Sequence, residues 1–402
     1  MSASSRDSRW RLSMRATTLY AVIAAITFSA TSSAPTPLYH LYQQSLHLSA
    51  LAITLVFAAY AFAMLGALLT VAKLSDYVGR RPMILAALLL NALALVIFIV
   101  AGSAEILILA RVVQGVATGI ALATLGAAIV DTDPRNGAVY NSFTAFLGLT
   151  VGSLLAGALV SWAPLPTQLV YMVLLAVSLV EALVVFVMPE TIDSKPGALR
   201  ALLPNVAIPA KARPALIRLM PLNLAAWALG GFYLSLMPTL VAVATGSRTP
   251  FTGAAVVAAL MLTGTLTVLW LRSSRPERLV RTGGVWLGLG IALTLVAIQQ
   301  QSAAGMLAAT VVAGVGFGAT YSGNLRTLLP LAGEHERAGL LAAYFVESYL
   351  FFAIPAIGAG ILAPVFGLVP TAFLYGGVLI ALSMLSLLAG RVSPSASPLG
   401  VR

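Results

Sequence analysis

Three charges lie well inside long apolar runs of this 402-residue chain, away from the run ends: Arg111, Glu181 and Glu347. In a membrane a charge at a helix centre costs about 2.5 to 3.5 kcal/mol on insertion scales, so each calls for a partner or a task. Tyr344, Glu347, Ser348 and Phe351 share one helical face by the i, i+3, i+4, i+7 spacing. That face sets an acidic group in aromatic surroundings, which suits reversible proton uptake or a cationic ligand; the bland alternative is a buried structural carboxyl. Arg111 stands about 9 Å from one end of its run at 1.5 Å per residue, where it can line a cavity or snorkel to the interface. Glu181 reads equally as a structural carboxyl or a proton site.

Other chemistries find little support. His40, His47 and His335 fall at predicted ends or loops and read as solvent-facing, and no metal-ligand cluster is visible. There is no Ser/His/Asp arrangement, no Gly-x-x-x-x-Gly-Lys-Ser/Thr phosphate loop and no cysteine. Neither a cofactor nor an enzyme activity is expected.

The elements that position these residues are membrane helices. Hydrophobic residues make up 60% of the chain and charged residues 9%, against roughly 25% charged in soluble domains. A spanning helix needs about 20 mainly apolar residues, and twelve such runs occur: 17–38, 49–72, 83–101, 105–130, 137–161, 168–188, 216–243, 251–271, 282–299, 303–325, 339–362 and 370–390. They are continuous and lack the period-two alternation of barrel strands, so the predicted fold is an all-α membrane protein. A polar stretch with five prolines from Pro189 to Pro214 divides the runs six and six. The expected organisation is an N-terminal half (1–188), a linker (189–215) and a C-terminal half (216–402).

Basic residues set the orientation, because Lys and Arg near span ends stay on the cytoplasmic side. Arg6, Arg9, Arg11 and Arg15, then Lys73, Arg80 and Arg81, Arg135, the linker, Arg272 to Arg281, Arg326 and Arg337, and Arg391 and Arg402 all fall on one side. Both termini are expected in the cytoplasm and the protein in the cell inner (cytoplasmic) membrane. The net charge of +11 then reads as topology and contact with anionic lipid rather than nucleic-acid binding. Arg9 to Ala34 also imitates a cleavable signal peptide, but removal would break the match between halves. Ala34 to Tyr42 reads instead as an outer helix end, with Tyr39 and Tyr42 at the membrane interface.

Between the second and third runs stands Lys73-Leu-Ser-Asp76-Tyr-Val-Gly79-Arg80-Arg81-Pro82. This Asp-x-x-Gly-Arg-Arg loop resembles the signature between the second and third helices of the major facilitator superfamily. Leu107-x-x-x-Arg111-x-x-Gln114-Gly115-x-x-x-Gly119 is similar to that family's fourth-helix arginine motif. Gly148-x-x-x-Gly152-Ser153-x-x-Ala156-Gly157 resembles its fifth-helix antiporter motif, with Ser153 and Ala156 in place of proline and glycine, and Pro189-Glu190-Thr191 resembles a family ending of the sixth helix. Ala72 departs from the glycine with which the first motif commonly begins.

The resemblance implies two six-helix halves around a central path, with Asp76, Gly79, Arg80 and Arg81 as a gating loop. Asp76 would brace the start of the eleventh helix near Gly339, and it could also favour a helix N-terminus. Asp131, Asp133, Glu190, Glu334 and Glu336 are candidate cytoplasmic partners. Gly115, Gly119, Gly148, Gly152 and Gly157 permit close helix packing. Arg111, by resemblance, and Glu347, from its position, are the expected proton-coupling or substrate residues. Placement alone suggests a cavity lined by Phe28, Gln114, Asn141, Asn223, Trp227, Tyr233, Tyr321, Asn324, Tyr344 and Ser348. Such walls favour amphipathic compounds over polyols. The expected function is proton-coupled efflux of small lipophilic or cationic molecules by a monomer in the bilayer. Proton-coupled uptake of an organic anion, with Arg111 as counter-charge, and a channel or non-transport protein are the alternatives.

Overall fold

The computed structural model describes residues 11–391; Arg6, Arg9 and Arg402 lie outside them. Among the described residues twelve long helices run in order: α1 Met14–Ser33, α2 Ala50–Thr70, α3 Arg80–Ile99, α4 Ala104–Thr132, α5 Gly137–Trp162, α6 Leu169–Val185, α7 Arg213–Ser235, α8 Pro250–Trp270, α9 Pro276–Gln299, α10 Ala303–Leu328, α11 Arg337–Phe366 and α12 Leu368–Arg391. No strand occurs among the described residues. Eleven of the helical segments are long and apolar enough to cross a membrane, and α6, of 17 residues, is a shorter apolar helix. The polar stretch between α6 and α7 holds one short helix, Ala198–Ala201.

Local sequence explains the helix starts. Ser13, Ser49, Ser103 and Ser302 precede α1, α2, α4 and α10, and each side-chain oxygen accepts a backbone N–H of the first turn, which satisfies a donor the helix itself cannot. Proline opens α8 and α9, where its missing N–H costs nothing. The seventh predicted run is broken rather than continuous: α7 stops at Ser235 and a second helix covers Met237–Thr245. Pro238 is the cause, since it has no N–H to offer the Leu234 carbonyl. Thr36 of the N-terminal half donates to that carbonyl at 2.9 Å instead.

Lateral helix faces carry exposed apolar side chains, such as Leu89, Leu93 and Val96 on α3, as a lipid-facing surface requires. Within each half small residues bring helices together. Gly115 and Gly119 of α4 pack on Ala63 and Ala67 of α2, and Gly148 and Gly152 of α5 pack on α1 at Ser29 and Ala30. The halves meet mainly through α5 against α8 and α2 against α11.

The two ends of this inter-half seam differ. At the end away from the linker, Ser153 Oγ donates to the Ala254 carbonyl (3.1 Å), the Phe251 N–H donates to Ser161 Oγ (3.0 Å) and Thr239 Oγ1 donates to Gln43 Oε1 (2.8 Å). Gly157 lies against Ala254 there. At mid-depth the Tyr349 hydroxyl donates to Met64 Sδ at 3.2 Å. Among the described residues no hydrogen bond joins α1–α6 directly to α7–α12 nearer the linker end. The linker touches both: Lys195 N donates to Tyr77 O (2.8 Å) and Ala207 N to Gly339 O (3.3 Å).

Candidate functional site

A central chamber of about 580 Å³ lies between the halves. Its wall is largely apolar and aromatic, with Phe57, Tyr60, Phe146, Trp227, Phe317, Tyr321, Phe345, Tyr349 and Phe352. Arg111 is the one charged residue among those lining it, and Asn141, Ser29, Ser32 and Thr144 add polar groups. Leu68, Ala123, Leu341 and Phe345 are shared with a second cavity of about 320 Å³, which is bordered by Lys73, Asp76, Arg80, Asn205 and Ala338. The chamber therefore continues toward the linker end, while the opposite end is tied shut.

Arg111 is 1% exposed. Its Nη1 donates to the Ser32 carbonyl (2.8 Å) and to Gln114 Oε1 (2.7 Å), and its Nε and Nη2 donate to the Tyr39 hydroxyl (3.1 and 2.6 Å). Gln114 Nε2 donates to Thr31 O at 2.9 Å. Ser32 and Thr31 belong to the last turn of α1, whose carbonyls have no intrahelical partner and form the negative end of the helix dipole. Arg111 and Gln114 are thus side chains of α4 that cap α1. The Tyr60 ring lies 4.9 Å from the guanidinium carbon, so a cation–π contact adds to the solvation of the buried charge. No carboxylate pairs with Arg111 among the described residues.

This arrangement corrects the expectation for Tyr39 and Tyr42. They are 0% and 2% exposed, turned inward by the helical segment Tyr39–Ser45 that follows α1. Tyr39 meets Arg111, and the Tyr42 and Tyr171 hydroxyls share a hydrogen bond of 3.1 Å. His40 is half-buried rather than solvent-facing, with its Nε2 at 3.0 Å from Gln44; His47 and His335 are exposed.

Of the other expected cavity residues, Asn141, Trp227 and Tyr321 line the chamber, whereas Phe28, Gln114, Asn223, Tyr233, Asn324, Tyr344 and Ser348 do not, and neither does Glu347. The reason is helical phase. Leu341, Phe345, Tyr349 and Phe352 form the chamber-facing stripe of α11, and Tyr344, Glu347 and Ser348 project from an adjacent face toward α7 and α10. There Asn223 Nδ2 donates to Glu347 Oε1 (3.3 Å) and to Ser348 Oγ (3.1 Å), and Asn324 Nδ2 donates to Asn223 Oδ1 (3.1 Å). Tyr233 bonds to Thr310 at 2.9 Å, deeper in the C-terminal half. Glu181, 6% exposed, accepts a hydrogen bond of 2.6 Å from Thr27 across the α1–α6 contact, away from the chamber.

The loop before α3 is built around a positive charge. Arg80 is bonded to Asp76 and, through Nε, to Asp131 at 3.0 Å. Asp76 neither braces α11 nor caps a long helix here: its partner lies in its own half, because the halves are apart at this end. Glu190 takes the capping role, its oxygens accepting the N–H groups of Arg80 (2.7 Å) and Arg81 (3.1 Å) at the start of α3. Gly79 precedes them at φ +111°, and a Cβ there would stand 2.7 Å from Glu190 Oε2. Arg81 donates to the carbonyls of Val185 (3.2 Å) and Phe186 (2.8 Å) at the end of α6. Asp133 bonds to Asn136, whose side chain and backbone hold its carboxyl below the usual range. Glu336 accepts from Gly333 N, so neither is an arginine partner. The capping role of Glu190 was missed in the sequence because nothing there shows that the end of α6 lies beside the start of α3.

Known proteins support the same architecture. The chain is similar to the crystal structure of the nucleoside transporter NupG, with TM-score 0.71, 12% identity and coverage of 94% of this chain and 100% of that one. It is also similar to a bacterial homolog of the human lysosomal transporter Spinster in an inward-facing, unoccupied conformation, with TM-score 0.75, 15% identity and coverage of 94% and 97%. These identities establish the fold alone. Among curated protein sequences none matches. The family model described as Major Facilitator Superfamily matches residues 21–346. With that match over most of its length, and with twelve apolar helices around a central chamber, the chain belongs to the Major Facilitator Superfamily of multi-pass membrane transporters.

Proposed function

We propose that this transporter exports small lipophilic, ring-bearing molecules by alternating access, with a proton taken up at Glu347 as the counter-ion. The observation that carries the reading is the chamber wall: a ring of aromatic side chains with Arg111 as its charge. A polyol would leave most of its hydroxyls unpaired there. A cation would meet a buried guanidinium and no carboxylate, so the wall supports neutral or singly anionic compounds and speaks against the cationic ones. Uptake of an organic anion on Arg111 is the weaker reading, because α1 already supplies that charge with carbonyl partners. With the termini on the cytoplasmic side, the open linker end corresponds to an inward-facing state.

Purified protein in liposomes, with internal pH recorded, tests this. The panel is one aromatic skeleton in neutral, anionic and cationic forms. Proton movement driven by the neutral form and abolished in Glu347→Gln is expected. Preferential transport of the cationic form, or equal proton movement in both proteins, would overturn the substrate or the coupling assignment respectively.

A further inference from the structure

The linker is charged in sequence yet carries bare apolar side chains. Leu199, Leu203, Val206 and Ile208 are 82%, 70%, 48% and 37% exposed, and water alone is a poor neighbour for four such groups in one short stretch. Pro196, Pro204 and Pro209 keep the stretch from forming a longer helix that could fold them under. Lys195, Arg200 and Lys211 give residues 194–212 a charge of +3, with no acidic residue among them. Lys195 and Lys211 are exposed and have no ion pair among the described residues.

Position supplies the neighbour. Lys195 N bonds to Tyr77 O, beyond the end of α2, and Ala207 N bonds to Gly339 O in the first turn of α11. A Cβ on Gly339 would stand 3.0 Å from that of Ala207, so the stretch lies directly on α11 there. It therefore crosses the linker end of the α2–α11 seam. α2 exposes Leu55 and Phe62, and α11 exposes Ile354 and Ile361, so lipid borders these helices. A strap at their cytoplasmic ends stands at the level of the headgroups, outside the hydrocarbon core.

We infer that this stretch of the linker docks on the cytoplasmic leaflet, with anionic phospholipid as its partner. Leu199, Leu203, Val206 and Ile208 enter the boundary between headgroups and acyl chains, as the apolar side of an interfacial segment does. Lys195 and Lys211, one at either end of those four residues, meet lipid phosphates. Each basic residue held near an anionic surface strengthens binding about fivefold. The carboxylates that flank the stretch in sequence or at the start of α11, Asp193, Glu334 and Glu336, form no ion pair with it among the described residues. A soluble acidic protein offers the same chemistry, but it would have to displace the lipid that already borders α2 and α11. Because the docked stretch is bonded to both halves, the composition of the leaflet reaches the seam between them. The surface stands on the linker alone, whatever substrate the chamber takes.

The test uses the full-length protein in nanodiscs of phosphatidylcholine, with phosphatidylglycerol added in steps. A nitroxide on a cysteine introduced at Ala198 or at Ala210, in a chain with no cysteine of its own, reports immersion by its relative accessibility to oxygen and to a nickel chelate. The label should pass from water into the boundary as phosphatidylglycerol increases, and salt should oppose that passage by screening. Lys195→Gln with Lys211→Gln should lower the ratio of immersed to water-exposed label at least fivefold at equal phosphatidylglycerol content. Leu199→Ser with Leu203→Ser should abolish immersion. All four side chains are exposed, so neither pair of changes disturbs the packed fold. A label that stays in water at every lipid composition overturns the docking and leaves the stretch to a soluble partner. Immersion that is equal with and without phosphatidylglycerol, or undiminished by the lysine changes, overturns the anionic partner. Failure of the liposome transport panel would leave the immersion result standing, and the reverse, so the two readings fail separately.

Discussion

Replacing Glu190 by glutamine should loosen the first turn of α3 by an amount that the geometry fixes. A helix leaves its first four N–H groups without internal partners; in α3 these positions are Arg80, Arg81, Pro82 and Met83, and Pro82 has no N–H. Glu190 therefore satisfies two of the three donors that exist. Glutamine keeps one oxygen for Arg80 but turns an NH₂ group toward Arg81. The loss is one charge-assisted hydrogen bond, about 1.5 to 3 kcal/mol, together with a carboxylate at a helix N-terminus, about 0.3 to 1 kcal/mol. Water reaches this half-buried position and recovers part of that, which leaves about 2 kcal/mol. At 1.36 kcal/mol per decade, hydrogen exchange at the Arg80 and Arg81 amides should quicken about 30-fold in Glu190→Gln and more in Glu190→Ala. Exchange measured by mass spectrometry on the peptide containing both residues reads this directly. Protection within threefold of wild type in both variants would refute the capping argument.

Two further changes test the chamber and its seal. Arg111→Lys keeps the charge but cannot hold Tyr39, Ser32 and Gln114 at once with a compact ammonium; transport in liposomes should fall more than tenfold, and near-normal transport would show that charge alone suffices. Gly157→Val inserts a branched side chain where Ala254 of α8 already lies. Spin labels on cysteines introduced at the far ends of α5 and α8, into a chain that has none of its own, should report a longer mean distance by double electron–electron resonance. An unchanged distance would mean that the close packing is not what closes that end.

Hydropathy made the twelve-helix layout legible, because apolar runs of membrane length are stated residue by residue. Helix breaks inside those runs were less so: the end of α7 depends on Pro238, whose effect appears only once the Leu234 carbonyl finds Thr36. The chamber was half legible. Residue spacing showed correctly that Tyr344, Glu347 and Ser348 share a face, but spacing gives no absolute phase, and it is the neighbouring stripe through Phe345 and Tyr349 that meets the chamber. Arg111 stood out by its charge, whereas its partner Tyr39 looked like an interface tyrosine, since only the tertiary fold turns the segment after α1 inward.

Two of the linker's main-chain bonds reach opposite halves, one at Tyr77 and one at Gly339. The segment between Lys195 and Ala207 could extend to about 40 Å at 3.3 to 3.6 Å per residue, so its length places no stop on rocking. A bond of this kind is worth about 0.5 to 1.5 kcal/mol net, so either one, if it breaks as the halves rock, weights the occupancy of the state that keeps it by roughly two- to tenfold. Cutting the linker between those points would leave the cycle running with its resting point displaced, and a protein or modification that grips this stretch would act as a dimmer on transport rather than as a switch.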